Sequence, residues 1–262
     1  MFSKESSKSW TRSGDLSPLF PHVKSVRGLV RKISKSFKRR GLFGTLTHSM
    51  AHVAYVVRHR KSATAANNGI SDFDLTHGVD TDGWIELDEL DAAGESYLYA
   101  QAYVATAANA FREMLNGVPI KHEDFTFIDM GSGKGRTLLL ASEWPFKKVI
   151  GVEFAKQLHD IARENIRRYR SDSQQCGEIE SVCADAGVFP IPEGNLLIYF
   201  YNPFEEQIMR KVLANLARSL ENHPRQIVII YNKPILDALF EPAGFVRVVR
   251  DENYCVYRNN SR

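Results

Sequence analysis

The sequence predicts an α/β fold with a parallel sheet and crossover helices, and three observations carry that expectation. Five short apolar runs recur along the chain: FTFIDM, KKVIGVEF, ESVCADA, NLLIYFY and QIVIIYN. Stretches with helical periodicity alternate with them, which implies parallel strands joined by crossovers. Three successive runs end in a carboxylate, Asp129, Glu153 and Asp185, at the strand ends where open α/β sheets bind ligands.

Taken in order, the chain begins with a strongly basic part. The 262 residues carry a net charge of +3, but residues 1–61 hold 14 Lys/Arg against two acids, and the remaining 201 carry a net −9. Val26, Leu29, Val30, Ile33 and Phe37 recur at helical spacing, with Lys24, Arg31, Lys32, Lys35, Lys38, Arg39 and Arg40 filling much of the remainder. Glycines at 41 and 44 interrupt this pattern, and LTHSMAHVAYVVRHR resumes it. Three readings of residues 24–61 stay open: a helix packed on the rest of the protein, a basic amphipathic helix on an anionic membrane surface, or a segment tracking nucleic acid or another acidic partner. The small, polar run RKSATAANNGISD reads as a linker. The expected division is residues 1–70, a basic, partly helical N-terminal extension with its linker, and residues 71–262, the catalytic domain.

Past the linker, the acidic stretch to Glu95 is punctuated by glycines and reads as an ordered loop or short strands. Residues 97–115 are alanine-rich and predict a helix. The most informative run follows, FTFIDMGSGKGR, with Gly131, Gly133 and Gly135 at alternate positions and the helix-forming TLLLASEW directly after. Glycine permits backbone angles and close approaches that a β-carbon blocks. A dinucleotide fingerprint needs glycine where Arg136 stands, and Lys134 does not satisfy a P-loop. Glu153 lies 18 residues past Gly135, near the spacing at which an acid meets ribose hydroxyls in nucleotide-binding folds. AKQLHDIARENIRRY and EEQIMRKVLANLARSL supply amphipathic helices. GFVRVVRDENYCVYR reads as a closing hairpin with its turn at residues 251–253.

The pattern D-x-G-x-G-x-G, with these strand-end acids and this hairpin, resembles class I S-adenosylmethionine (SAM) methyltransferases, and residues 72–258 look like a bacterial branch of that family. The resemblance implies a Rossmann-like, seven-stranded, mostly parallel sheet with an antiparallel last strand, and SAM as cofactor. It implies that Asp129, Gly131, Ser132, Gly133 and Gly135 cradle the methionine part, that Glu153 holds the ribose, and that Asp185 lies near the adenine; a turn-forming Asp185 is the alternative. Thr81, Trp84 and Tyr103 become candidates for lining the site, packing aromatics being the other reading of the last two. Tyr201, Asn202, Pro203 and Phe204 are similar to the (Asn/Asp)-Pro-Pro-(Tyr/Phe) motif of amino-methyltransferases, with one proline instead of two. By that match Asn202 accepts a hydrogen bond from the target amine and Phe204 is the platform; the alternative makes Asn202 and Pro203 the N-terminal cap of the next helix. Tyr231, Asn232, Lys233 and Pro234 form a second such element. Lys134 and Arg136 either meet the donor carboxylate or an acidic acceptor, or stay solvated.

The expectation is a SAM-dependent methyltransferase acting on an unidentified acceptor, with nitrogen favoured over oxygen. The alternatives are a non-catalytic SAM- or nucleotide-binding partner tethered by its basic N-terminus, and a nicotinamide oxidoreductase. No run of about 18 apolar residues predicts a membrane span, and no signal-peptide pattern follows the early lysines. Cys176, Cys183 and Cys255 lack C-x-x-C spacing and fit a reducing compartment, with Cys183 and Cys255 read as core positions. His48 and His52 lack a third ligand, and no metal is expected. The expected location is cytoplasmic, with peripheral attachment at the inner membrane surface as the variant.

Overall fold

A computed structural model describes residues 72–85 and 103–260, all within a compact unit spanning Ala66–Arg262. The basic extension, the division expected at residue 70 and the histidines at 48 and 52 lie outside the described residues.

The elements run α1 (Asp72–His77), β1 (Trp84–Ile85), β2 (Tyr103–Val104), α2 (Ala108–Asn116), β3 (Phe125–Met130), α3 (Arg136–Ala141), β4 (Lys148–Glu153), α4 (Lys156–Arg168), β5 (Ile179–Cys183), β6 (Asn195–Tyr201), α5 (Glu206–Asn222), β7 (Ile227–Asn232), β8 (Phe245–Arg250) and β9 (Tyr254–Asn259). Seven strands form one sheet in the order β5-β4-β3-β6-β7-β9-β8. The first five pair in parallel, and β9 is antiparallel to both β7 and β8. This is the mostly parallel Rossmann-like sheet with an antiparallel last strand.

The central strands are apolar on both faces because helices cover both. On one side Ile198, Phe200, Ile229 and Tyr231 pack with Ile208, Met209, Val212 and Leu216 of α5. On the other, Phe127, Leu197, Val228 and Ile230 pack with Phe111 and Leu115 of α2 and Leu138 and Leu140 of α3. β5 stands at the sheet edge. Cys183 there is exposed, not in the core as expected, whereas Cys255 is buried.

The helix expected over residues 97–115 is only half present. It starts at Ala108, while Tyr103 and Val104 pair antiparallel with Trp84 and Ile85. Aromatic and β-branched side chains suit that pairing, and the Tyr103 hydroxyl holds it by donating to the Thr81 carbonyl at 2.5 Å. α1 forms in a stretch read as linker and loop.

The glycine turn is fastened to β4. The N–H groups of Gly131 and Ser132 both donate to the Val152 carbonyl, at 2.8 and 3.1 Å. Gly151 makes room for this contact: a β-carbon there would lie 2.5 Å from Leu138 Cδ1 and 2.6 Å from Ser132 Oγ. Gly151→Ala is therefore expected to destabilise the fold by about 1–3 kcal/mol, read as a lower urea midpoint at unchanged slope.

Candidate active site

The sheet order reverses between β3 and β6, so the crevice of a doubly wound sheet opens at their carboxyl ends. The glycine turn lies there. Gly131, Gly133 and Gly135 have φ of 99°, 54° and 84°, a region that glycine enters without the β-carbon penalty. Glu153, at the end of β4, backs the turn: Oε2 accepts the Gly133 N–H and Oε1 the Ala155 N–H, both at 2.8 Å. The Phe154 N–H also acts on this carboxyl, so backbone donors take up most of the roughly four acceptor positions a carboxylate offers. Beside this loop Ala155 and, from α4, Leu158 pack with Phe154, Ile85 of β1 and Tyr103 of β2 in a small apolar cluster.

Glu153 is 4% exposed, and burial pushes its carboxyl from 4.5 up to about 7 against the opposing pull of its N–H donors. Asp129 accepts the Thr137 hydroxyl; burial, reinforced by the nearby Glu153 charge, raises it from 3.8 to about 7 although the Thr137 bond opposes this. Folded, both acids keep their protons at pH values where the unfolded chain has released them. Their contribution is fully present below about pH 4 and is lost as pH rises toward 7. The ligand-free protein is expected to lose on the order of 3 kcal/mol per acid across that window, seen as a falling urea midpoint. Glu153→Gln, which cannot ionise, is expected to flatten the profile.

The acidic run DFDLTHGVDTDG is clamped to the turn. Lys134 and Arg136 are each 7% exposed, so neither is the solvated charge or open ligand contact expected of it. Lys134 Nζ meets Asp80 Oδ1 at 2.7 Å and the Asp82 carbonyl at 2.8 Å. Arg136 donates from Nε to Thr81 Oγ1 at 2.6 Å and from Nη2 to Asp74 Oδ1 at 3.3 Å. Buried Asp74 also accepts the N–H groups of Thr81 and Asp82, each at 2.8 Å. Asn165 of α4 joins both parts, donating to the carbonyls of Asp80 and Lys134 at 2.7 and 2.9 Å.

The chain itself makes the close approaches that the glycines allow. A β-carbon on Gly133 would lie 2.2 Å from Tyr103 Cε2, and one on Gly131 would lie 2.6 Å from Pro203 Cβ. Tyr103 thus packs directly on the turn. The Thr81 hydroxyl points into the ion cluster instead, donating to Asp74 Oδ1 at 2.5 Å. The Trp84 side chain lies outside the described residues. The buried acid Glu153 at the end of β4 and the glycine turn beside it are the features that suit an adenosyl donor, with Tyr103 and Pro203 occupying the faces of Gly133 and Gly131.

Across the crevice, Tyr201 of β6 is in register with Asn232 of β7, so Asn202 and Lys233 follow them side by side. Among the described residues these are the non-glycine positions with positive φ, 41° and 51°. Each precedes a proline, and strained backbone of this kind clusters at functional sites. Asn202 Oδ1 accepts the Tyr231 hydroxyl at 3.2 Å. Asn232 Nδ2 donates to the Tyr199 hydroxyl at 2.9 Å, and that oxygen is 3.3 Å from Thr106 Oγ1. The Lys233 ammonium lies 5.0 Å from the centre of the Tyr201 ring.

Asn202 is not the helix cap: α5 starts at Glu206 with Glu205 as its N-cap. Phe204 is buried in the core, edge-on to Phe200 at 6.1 Å between ring centres, so its ring serves packing and presents no open platform. Asp185 lies two residues past the end of β5, and its Oδ1 accepts the Gly187 N–H at 2.8 Å, the turn-forming geometry. Sequence reasoning named Tyr231 and Asn232 in the second strand-end element but missed Tyr199 and Thr106 as their partners. The repeat of Tyr-Asn before Pro at the ends of β6 and β7 was the available signal.

Residues 96–182 match the model of a family described as Histone methylation protein DOT1. No curated protein matches the chain. Similar solved structures include an RNA methyltransferase from Salinibacter ruber in complex with S-adenosyl-L-homocysteine, 20% identical, covering 60% of this chain and 94% of its own, with a TM-score of 0.41. A precorrin-6y C5,15-methyltransferase from Geobacter metallireducens is 16% identical, covering 66% and 95%, with a TM-score of 0.45. A predicted N6-adenine-specific DNA methylase from Listeria monocytogenes is 11% identical, covering 67% and 55%, with a TM-score of 0.46. Likeness at this level leaves the acceptor to be read from the residues of this chain. The family match covers a third of the chain and spans β3, the glycine turn, β4 and Glu153, the elements that build one side of the crevice.

Proposed function

We propose that this protein moves a methyl group from SAM to an amine nitrogen of an acceptor held at the ends of β6 and β7. The observation that carries the reading is Asn202, placed beside the glycine turn because Pro203 packs on Gly131, with a side-chain oxygen that can accept an amine hydrogen.

SAM supplies an electrophilic methyl group on a sulfonium; the protein's task is to orient the nucleophile and exclude water. Glu153 would hold the ribose, and the rest of the donor would lie along the turn from Gly131 to Gly135, with Tyr103 and Pro203 as its neighbours there. An amine attacks only with its lone pair free. Asn202 Oδ1 has one lone pair engaged by Tyr231; the other, accepting an amine N–H, would turn the nitrogen lone pair toward the methyl. A protein side chain is the acceptor class tried first, since the matched family is described by histone methylation.

The test is transfer of labelled methyl from SAM into protein, RNA, lipid and small-molecule fractions of a cell extract, repeated with Asn202→Ala. Label in an amine linkage is expected, with the variant's rate down by about a hundredfold and its affinity for S-adenosylhomocysteine unchanged. Full-rate transfer by the variant, or label in an ester or ether, would overturn the reading.

A further inference from the structure

The hydrogen bonds beneath Asn202 run in one direction. The Leu236 N–H donates to the Tyr231 hydroxyl oxygen at 3.3 Å, and that hydroxyl is 3.2 Å from Asn202 Oδ1. A backbone N–H can only donate, so the phenol oxygen accepts there and its own hydrogen is left for the asparagine. The Asn202 amide is thereby set with its oxygen toward Tyr231. Burial pushes the Tyr231 phenol up to about 12, so it keeps this hydrogen throughout the neutral range.

The parts on either side of the bond are held independently of it. The Tyr231 ring lies edge-on to Phe200 at 6.1 Å and tilted on Phe240 at 5.2 Å between centres. The Asn202 backbone is confined to φ 41° before Pro203. With ring and backbone both fixed, the hydroxyl is what selects the amide rotamer between them. The hydroxyl also draws electron density toward Oδ1, as hydrogen bonds in a chain polarise one another.

We infer that Tyr231 is a positioning residue for methyl transfer: its hydroxyl locks the Asn202 amide so that the remaining lone pair of Oδ1 faces the amine of the acceptor. The inference rests on the reading of Asn202 given under the proposed function, and adds to it a residue from the neighbouring strand that does not touch the substrate.

The experiment is Tyr231→Phe, which removes one oxygen and keeps the packed ring. Transfer of labelled methyl from SAM is measured with the protein fraction of a cell extract as acceptor, alongside Asn202→Ala and the double variant. Tyr231→Phe is expected to lower the rate about tenfold, with affinity for S-adenosylhomocysteine unchanged and no further loss in the double variant. A second readout needs no turnover. The Asn202 side-chain amide resonance, assigned by its absence in Asn202→Ala, is expected to shift and to exchange its hydrogens with solvent faster in Tyr231→Phe. A full rate in Tyr231→Phe beside an impaired Asn202→Ala overturns the positioning role alone, as does an unmoved amide resonance. A full rate in Asn202→Ala overturns the reading beneath it. Equal losses of rate and S-adenosylhomocysteine affinity in Tyr231→Phe also overturn the inference, because they mark general disruption.

Discussion

Glu153→Gln is expected to weaken S-adenosylhomocysteine binding about tenfold to a hundredfold, measured by titration calorimetry. The two oxygens of Glu153 accept N–H groups from opposite sides, Gly133 in the turn and Ala155 in the following loop. Glutamine offers one oxygen and two donor hydrogens, so one of those N–H groups would face another donor. The proposed ribose contact and the turn geometry are impaired together, and hydrogen bonds to a charged group are each worth about 1.5–3 kcal/mol. Apo stability should move differently. The acid is held well above its ordinary range by burial, so a neutral side chain escapes that penalty at pH 7.5. Reduced donor affinity without reduced apo stability is the signature expected of a functional group kept at a cost to the fold. Unchanged affinity would remove Glu153 from the donor site.

The other large effect is expected from Asp74→Ala, about 3–5 kcal/mol of stability, because it takes the buried carboxylate partner from the Arg136 guanidinium and leaves it the longer 3.7 Å pair with Asp82. Asp74 also accepts the N–H groups of Thr81 and Asp82, both of which lose their partner. Against a typical total of about 5–15 kcal/mol, this is a large fraction, and the melting temperature should fall by roughly 6–20 °C. The residues around Thr81 should become sensitive to limited proteolysis before the sheet does. A change below 1 kcal/mol would show that the clamp is not what holds the acidic run in place.

What could be read from the sequence followed the reach of each signal. The strands that carry Asp129, Glu153, Tyr201 and Asn232 are apolar on both faces, a pattern that runs the length of each strand, and the hairpin at 245–259 announces itself by local alternation. The glycine turn and Glu153 were legible for the same reason. The pairing of Tyr103 with Trp84 depends on residues far off in sequence, so an alanine-rich stretch looked helical through to Tyr97. The partners of Lys134 and Arg136 lie more than 50 residues upstream, and nothing near the turn foretells them. Cys183 looked like a core position because strand order, which puts β5 at the edge, is not written in the strand. The roles of Asn202 and Phe204 came from a motif, and the fold divides them: Asn202 is half-buried at the strand end with its oxygen on the Tyr231 hydroxyl, and Phe204 is buried in the core.

The place of β9 inside the sheet has a consequence for biosynthesis. It is the last strand of the described chain, yet it lies between β7 and β8, and β7 is flanked by β6 alone until residues 254–259 arrive. A nascent chain emerging from its N-terminus therefore leaves β7 with one open side and Tyr257 missing from the cluster around Phe240. Residues 254–259 must leave the ribosome before the outer margin of β7 is covered, and until then that margin invites the kind of mispairing that chaperones guard against.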